Sequence, residues 1–369
     1  MNERERLNAV LSFQTVDRLP NYEWGIWGQT LDRWHAEGMP RDVLYGDWFE
    51  GEPYFRLDRR AFAYVRIGFV PGFDYEVLEE GERYVTARHS NGIVTKALKE
   101  GTSHGTRSSM DQFLSHPVTD RQSFRDLLWR LNPESPVRYP LWWNEQVRMW
   151  ADRDYPLFLL GNGSFGLYSG LRDWVGTEEI SYLFYDDPAF VEEMLDTRVD
   201  LFLQMMDRAL NDIEFDHFSF FEDLAGKGGP LLSPTLFRRF ILPRYKQIIE
   251  RMRKAGIQRF WFDTDGDARV LIPLLIEAGS TCLWPMEAAS DMDPIQLRRE
   301  YGNDIAFMGG IDKRELTKDK AAIERELYAK IPPLREKGGY IPCLDHTFPP
   351  DISYENFLYY MELKEKLIG

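Results

Sequence analysis

Four short apolar runs in the second half of the chain begin near residues 258, 281, 305 and 339, at intervals of 23, 24 and 34 residues. A stretch with helical periodicity follows each of the first three, so the spacing is that of repeated strand–helix units. Strands joined by crossover helices run parallel, which leaves a sheet covered by helices as the solution. The local signals agree. Residues 258–262 end in the polar cluster Asp263-Thr264-Asp265-Gly266-Asp267; Val270, Leu271, Leu274, Leu275 and Ala278 then recur on one helical face, and Gly279 stands where a helix C-cap falls. Residues 281–284 form the next strand, and Asp293-Pro294 supplies an N-cap and a first-turn proline to the helix after it. Residues 305–308 end in Gly309-Gly310-Ile311-Asp312, and 340–343 is the last run.

Upstream, 157–160 and 217–221 read as buried strands, and two long amphipathic helices flank the second. One carries Val191, Leu195, Val199, Phe202 and Met206; the other carries Phe237, Ile241, Tyr245, Ile248 and Met252. With 19–24 as an opening strand, strands near 20, 65, 158, 217, 258, 281, 305 and 340 make eight. The expected fold is therefore α/β, a single (β/α)8 TIM barrel over residues 1–369. Asn91-Gly92 between 84–88 and 93–96 is a strong hairpin signal and predicts a β-hairpin excursion at about 74–98. The segment 100–155, rich in Trp and Pro, yields no assignable pattern.

Charge and composition restrict the function. Forty-five Lys and Arg face 60 Asp and Glu, a net charge of −15, which repels phosphate backbones and anionic lipid and argues against nucleic acid or a membrane as partner. No apolar run approaches the roughly 18 residues of a membrane span, and MNERERLNAV has no apolar leader core, so a cytoplasmic location is expected. Cys282 and Cys343 are the only cysteines, too few for a disulfide framework or an all-thiolate metal site.

In a parallel barrel the chemistry sits after the strands, at their C-terminal ends. Those positions hold Trp24 and Gly25; Asn162 to Phe165, with Tyr168 next; Glu222 and Asp223; Asp263, Asp265 and Asp267; Met286 and Glu287; Asp312; and Cys343, Asp345 and His346. Carboxyls that converge on one cavity repel one another and raise some pKa values, so such a cluster binds a cation or keeps one acid protonated. Capping and turn-making compete with that reading for each acid taken singly, and Asp267 and Asp312 suit the N-cap role well.

The segments RERLNAVLSFQTVDRLP, FFEDLAGKGGPLLSPTLFRRFILPRYKQII, MDPIQLRREYGNDIAFMGGIDKREL and GGYIPCLDHTFPPDISYENFLYY resemble the uroporphyrinogen decarboxylase (URO-D) superfamily. The resemblance implies a single barrel with a deep cleft at its C-terminal face. It also implies one of two chemistries: decarboxylation, which needs no cofactor, or methyl transfer to or from a corrinoid protein, often with zinc. The decarboxylases' early Arg-Gln-Ala-Gly-Arg motif, which grips substrate carboxylates, is missing from PNYEWGIWGQTLDRWHAEGMP; Arg33 and Arg41 lie nearby at the wrong spacing. Tyr168 and His346 fall near positions that resemble decarboxylase active-site residues, while Glu222 falls where the decarboxylases have an Asp before Ser-x-Ala-Gly and Asp223 occupies the Ser position.

Zinc-dependent methyltransferases of the superfamily carry His-x-Cys and a later Cys. These positions match Asp263, Asp265 and His346 here, with Glu222 or Glu287 as a fourth ligand. The leading expectation is a corrinoid-linked methyltransferase or demethylase. Asp263, Asp265, His346 and Glu222 would be its catalytic groups, the first three binding any zinc. Trp24, Tyr168, Met286, Glu287 and Asp312 would bind a small methylated substrate. A partner protein would supply the corrinoid (cobalamin), and homodimers occur in the superfamily. The alternatives are a carboxy-lyase of the uroporphyrinogen decarboxylase kind and a non-catalytic tetrapyrrole or corrinoid binder.

Overall fold

Seven short strands form one parallel sheet in a computed structural model that describes residues 1–43, 53–160 and 165–369. In chain order they are β1 (Ala61–Ala63), β2 (Leu157–Leu159), β3 (His217–Phe221), β4 (Arg259–Asp263), β5 (Cys282–Trp284), β6 (Ala306–Met308) and β7 (Tyr340–Ile341). Each pairs with the next in this same order, so the sheet is singly wound and curls one way. The helices that matter for the site are α1 (Tyr168–Val175) after β2, α2 (Leu242–Lys254) after β3, α3 (Ile272–Ala278) after β4, and the closing α4 (Tyr354–Ile368). Gly279 ends α3 in the left-handed region at φ 111°, as its place in the sequence predicts. The Asp293 side chain accepts from the backbone N–H of Ile295 at the start of Pro294–Tyr301.

Strand alternation decides which side chains enter the sheet's concavity. Phe220 and Phe262 face outward and pack edge-on against Tyr245 of α2, with ring centroids 4.8 and 5.0 Å away. Ser219 and Trp261 therefore face inward, where they line a small interior space with Phe62, Phe158 and Arg60. Two residues further along, the same parity turns Phe221 and Asp263 inward. The register places Phe221, Asp263 and Trp284 at one level across β3, β4 and β5.

The expected first strand near residue 20 does not form a regular ladder. This segment contacts the chain before β1 and the loop after β7: the Asn21 carbonyl accepts from the Asp58 N–H, and an isolated parallel bridge joins Ile26 to Phe348. Side chains interrupt the pairing. Pro20 has no N–H to give, the Asn21 N–H goes to the Asp58 carboxylate at 2.9 Å, and the Glu23 carboxylate takes the Leu344 N–H at 3.1 Å. Gly25, at φ 110°, turns the chain where a strand would continue.

The Asn91-Gly92 turn joins Tyr84–Arg88 to Val94–Leu98, with Gly92 at φ 87°. The excursion is larger than a hairpin. Glu76–Glu80 and Gln112–Ser115 flank the pair in a four-stranded antiparallel sheet, so part of the unassigned 100–155 segment belongs here. Among the described residues no helix is long and apolar enough to cross a membrane.

Candidate active site

Where β3, β4 and β5 end, the inward residues meet those of two loops. Trp24, Phe221, Asp263, Asp265, Trp284, Pro285, His346 and Thr347 line a cavity of about 170 Å³. Trp24 and Trp284 stack face to face, with centroids 3.7 Å apart and planes 3° from parallel. The Trp24 indole N–H donates to the Leu344 carbonyl at 3.0 Å, which fixes one member of the stack to the loop carrying His346. Both indoles also line the interior space beneath, so the stack separates the acidic cavity from the sheet interior.

The ionisable lining consists of two carboxyls and an imidazole. Asp263 is 7% exposed, and its carboxyl has no hydrogen-bond partner among the described residues. Burial pushes its pKa well above the usual carboxylate range, and the neighbouring Asp265 and Asp223 push the same way. Asp265 is raised to about 7, first by burial and then by Glu287 and Asp223, with Lys313 pulling back. His346 Nε2 lies 3.9 Å from Asp265 Oδ2, and its Nδ1 is 2.9 Å from the Thr347 hydroxyl. Burial, followed by the Lys313 charge, holds the imidazole below its ordinary pKa. A carboxyl that titrates near neutrality can do two things here. Protonated, it can donate to a leaving atom; ionised, it can hold a cation.

Other residues singled out in the sequence stand elsewhere. Glu222 is fully buried but turned away from the cavity. It accepts from the backbone N–H groups of Leu167, Tyr168 and Ser169 at 2.6, 3.0 and 2.8 Å, and from the Tyr245 hydroxyl. It thereby closes the N-terminus of α1 in place of a cap residue. Tyr168 is packed against Phe184 and does not line the cavity. Met286 is buried and held at φ 62°, and its neighbour Pro285 forms the cavity wall instead. Asp312 is the N-cap of the short helix Lys313–Leu316 and pairs with Arg314. Glu287 Oε2 accepts from Gly266 N–H at 2.9 Å, bracing the loop that carries Asp265. Asp345 is fully buried and accepts from the N–H groups of Ala288 and Lys313 at 3.1 and 3.2 Å. Cys343 is buried, with its thiol pushed well above its ordinary pKa by burial and by Glu23. Asn162 lies outside the described residues.

The strand-end positions omitted Phe221, Trp284, Pro285 and Thr347, although all four line the cavity. Strand parity was the available signal: a strand whose last residue is an inward Asp263 has in-register neighbours facing the same way.

The residues present do not form a metal site in this arrangement. Among the described residues, no three His, Cys, Asp or Glu side chains converge closely enough to hold an ion. Asp263, Asp265 and His346 share a cavity without sharing a centre, whereas a structural or catalytic zinc needs at least three protein ligands near 2 Å.

Comparison with known proteins gives a consistent picture. The family model described as uroporphyrinogen decarboxylase (URO-D) matches residues 145–367, more than half of the chain. A uroporphyrinogen decarboxylase of Thermus thermophilus is 24% identical over 261 residues, covering 69% of this chain and 71% of that protein. That of Syntrophotalea carbinolica is 22% identical over 240 residues, covering 64% and 67%. Among solved structures, a methyltransferase from Methanosarcina mazei matches with a TM-score of 0.65 over 100% of both chains at 15% identity, a likeness of fold.

Proposed function

Since this chain belongs to the uroporphyrinogen decarboxylase family, we propose that it is an enzyme of that scaffold which moves a methyl group from a small donor to a corrinoid carried by a partner protein. In this reading the curled sheet is a (β/α)8 barrel, with the segment around Ile26 as its irregular eighth stave, and the acid-lined cavity lies at its catalytic end. The observation that carries the proposal is the cavity itself. It measures about 170 Å³, and its ionisable lining among the described residues is Asp263, Asp265 and His346, with no guanidinium or ammonium.

A tetrapyrrole with several carboxylates needs a far larger site, since even drug-sized ligands occupy roughly 300–1,000 Å³. It also needs cationic clamps, and Arg172, which follows the second strand of the sheet, is otherwise engaged. Arg172 donates to the Asp223 carbonyl and carboxylate at 3.2 and 3.1 Å and to Thr177 at 3.0 Å. A purely non-catalytic binder is disfavoured by the same cavity, because Asp263 and Asp265 line it instead of capping helices.

The chain's own residues supply position and charge. The reduced corrinoid, when presented, supplies the nucleophile that takes the methyl group. Phe221, Trp24 and Trp284 exclude water and orient the donor, so that the methyl carbon faces the cavity mouth. The atom that loses its methyl group departs best as a neutral species. Either Asp265 protonates it, or it carried positive charge from the outset and the carboxyls served as counter-ions. His346, neutral at ordinary pH, relays or holds the proton beside Asp265. The test is the initial rate of corrinoid methylation with a panel of small O-methyl, N-methyl and S-methyl donors, set beside uroporphyrinogen decarboxylation. Methylation by at least one donor, reduced tenfold or more in Asp263→Asn, is expected; decarboxylation without methylation would overturn the proposal.

A further inference from the structure

Three properties of the cavity point to the charge of its ligand. Its apolar walls are aromatic: two indoles and the Phe221 ring, with Pro285 beside them. Its ionisable groups are two carboxyls and an imidazole, so among the described lining residues the only formal charge on offer is negative. And Asp263, only 7% exposed, has a carboxyl with no hydrogen-bond partner among the described residues. A buried carboxyl is ordinarily bonded to backbone N–H groups or paired with a cation, as Glu222, Asp216 and Asp345 all are here. Asp263 is the exception, and it faces open space.

Resting on the methyl-transfer reading, we propose that the cavity binds its donor as an organic cation, a quaternary or N-methylated ammonium group held against Trp24, Trp284 and Phe221 with Asp263 and Asp265 as counter-ions. Aromatic walls tolerate the methyl groups of such a head group, and carboxylates supply the balancing charge. A hard metal ion is a poorer match for the same acids, because it needs three or more converging ligands and the aromatic walls offer none. The chemistry balances without an external acid. The N–CH3 bond breaks, its electron pair stays on nitrogen, and a neutral tertiary amine leaves. The methyl carbon bonds to the reduced corrinoid, whose electron pair forms the new bond. The two carboxylates lose their counter-ion when the amine becomes neutral, which favours their reprotonation from solvent and the release of the amine.

The test reads binding without any corrinoid, so that its failure is separable from failure of the methyl-transfer reading. The full chain is titrated calorimetrically with choline and with its neutral carbon isostere 3,3-dimethylbutan-1-ol, as wild type and as Asp263→Asn and Asp265→Asn. Thermal melts confirm that each variant is folded. Choline is expected to bind at least about tenfold more tightly than the isostere, and each substitution should remove most of that preference while leaving isostere binding unchanged. Equal binding of the two probes, or a preference for choline that survives both substitutions, would overturn the proposal. Methyl transfer from O-methyl donors with no choline preference would overturn it too and leave the parent reading standing. Choline selectivity with no methyl transfer from any donor would instead count against the parent reading.

Discussion

Replacing Glu222 by Ala separates a structural carboxylate from a catalytic one. The wild-type side chain satisfies three backbone N–H groups at the start of α1 and the Tyr245 hydroxyl, all in a fully buried site. Alanine accepts none of these bonds. Each buried donor left unsatisfied costs about 1–3 kcal/mol, but relaxation and water entry recover part of the sum, so a loss of about 3–5 kcal/mol is expected. With an unfolding entropy near 2.1 cal/mol/K per residue, a chain of 369 residues has roughly 0.8 kcal/mol/K, and the melting temperature should fall by about 4–6 °C. Glu222→Gln keeps one acceptor oxygen and should lose about half as much. Differential scanning calorimetry of the three proteins at one scan rate and pH 7 reads the effect. A Glu222→Ala variant that melts within about 1 °C of wild type yet has lost its activity would refute the reasoning and return Glu222 to the catalytic set.

Lys364 and Glu23 form a fully buried ion pair at 2.5 Å, completed by the Tyr360 hydroxyl at 2.6 Å; Lys364→Met should cost about 3–5 kcal/mol in urea unfolding, and adding Glu23→Gln should recover most of it. Asp265 titrates near 7 in the folded chain, well above its unfolded value, so the folded state holds the proton that the unfolded state has released. Its ionisation therefore costs stability progressively as pH rises from about 4 to 7 and fully above that. Thermal melts should show Asp265→Asn gaining on wild type over that interval and level with it below pH 4; a gain greatest in acid would contradict the sign. Protein rinsed with chelator should carry zinc far below one per chain by plasma mass spectrometry. An Asp263→Ala, His346→Ala double variant should carry no less, and near-stoichiometric zinc lost in that variant would show that the loops close into a metal site.

How much of this was legible depends on which atoms decide each feature. The strand–helix spacing of the second half fixes the order of β4 to β7, because period and turn residues are properties of neighbouring positions. Asp263, Asp265 and His346 could be grouped because they follow strands whose ends lie together. Other placements turn on contacts that neighbouring positions do not reveal. Glu222 stands beside Asp223 at a strand end, but whether it enters the cavity or turns to Leu167, Tyr168 and Ser169 depends on the approach of α1. Asp312 takes the N-cap that its sequence also allowed. The stave near residue 20 loses its ladder to Pro20, the Asp58 and Glu23 carboxylates, and Gly25, which local propensity alone does not weigh. Trp284 was readable in principle, since it sits in register with Asp263, but only once the register was known.

The most direct test of the central claim follows an isotope. The purified chain is incubated with reduced corrinoid and with O-methyl and N-methyl donors bearing deuterated methyl groups, and mass spectrometry locates the label. The cavity predicts an intact labelled methyl group on the corrinoid and an equal amount of demethylated donor, both dependent on Asp263. Unlabelled corrinoid from every donor, together with carbon dioxide released from uroporphyrinogen by the same preparation, would contradict it.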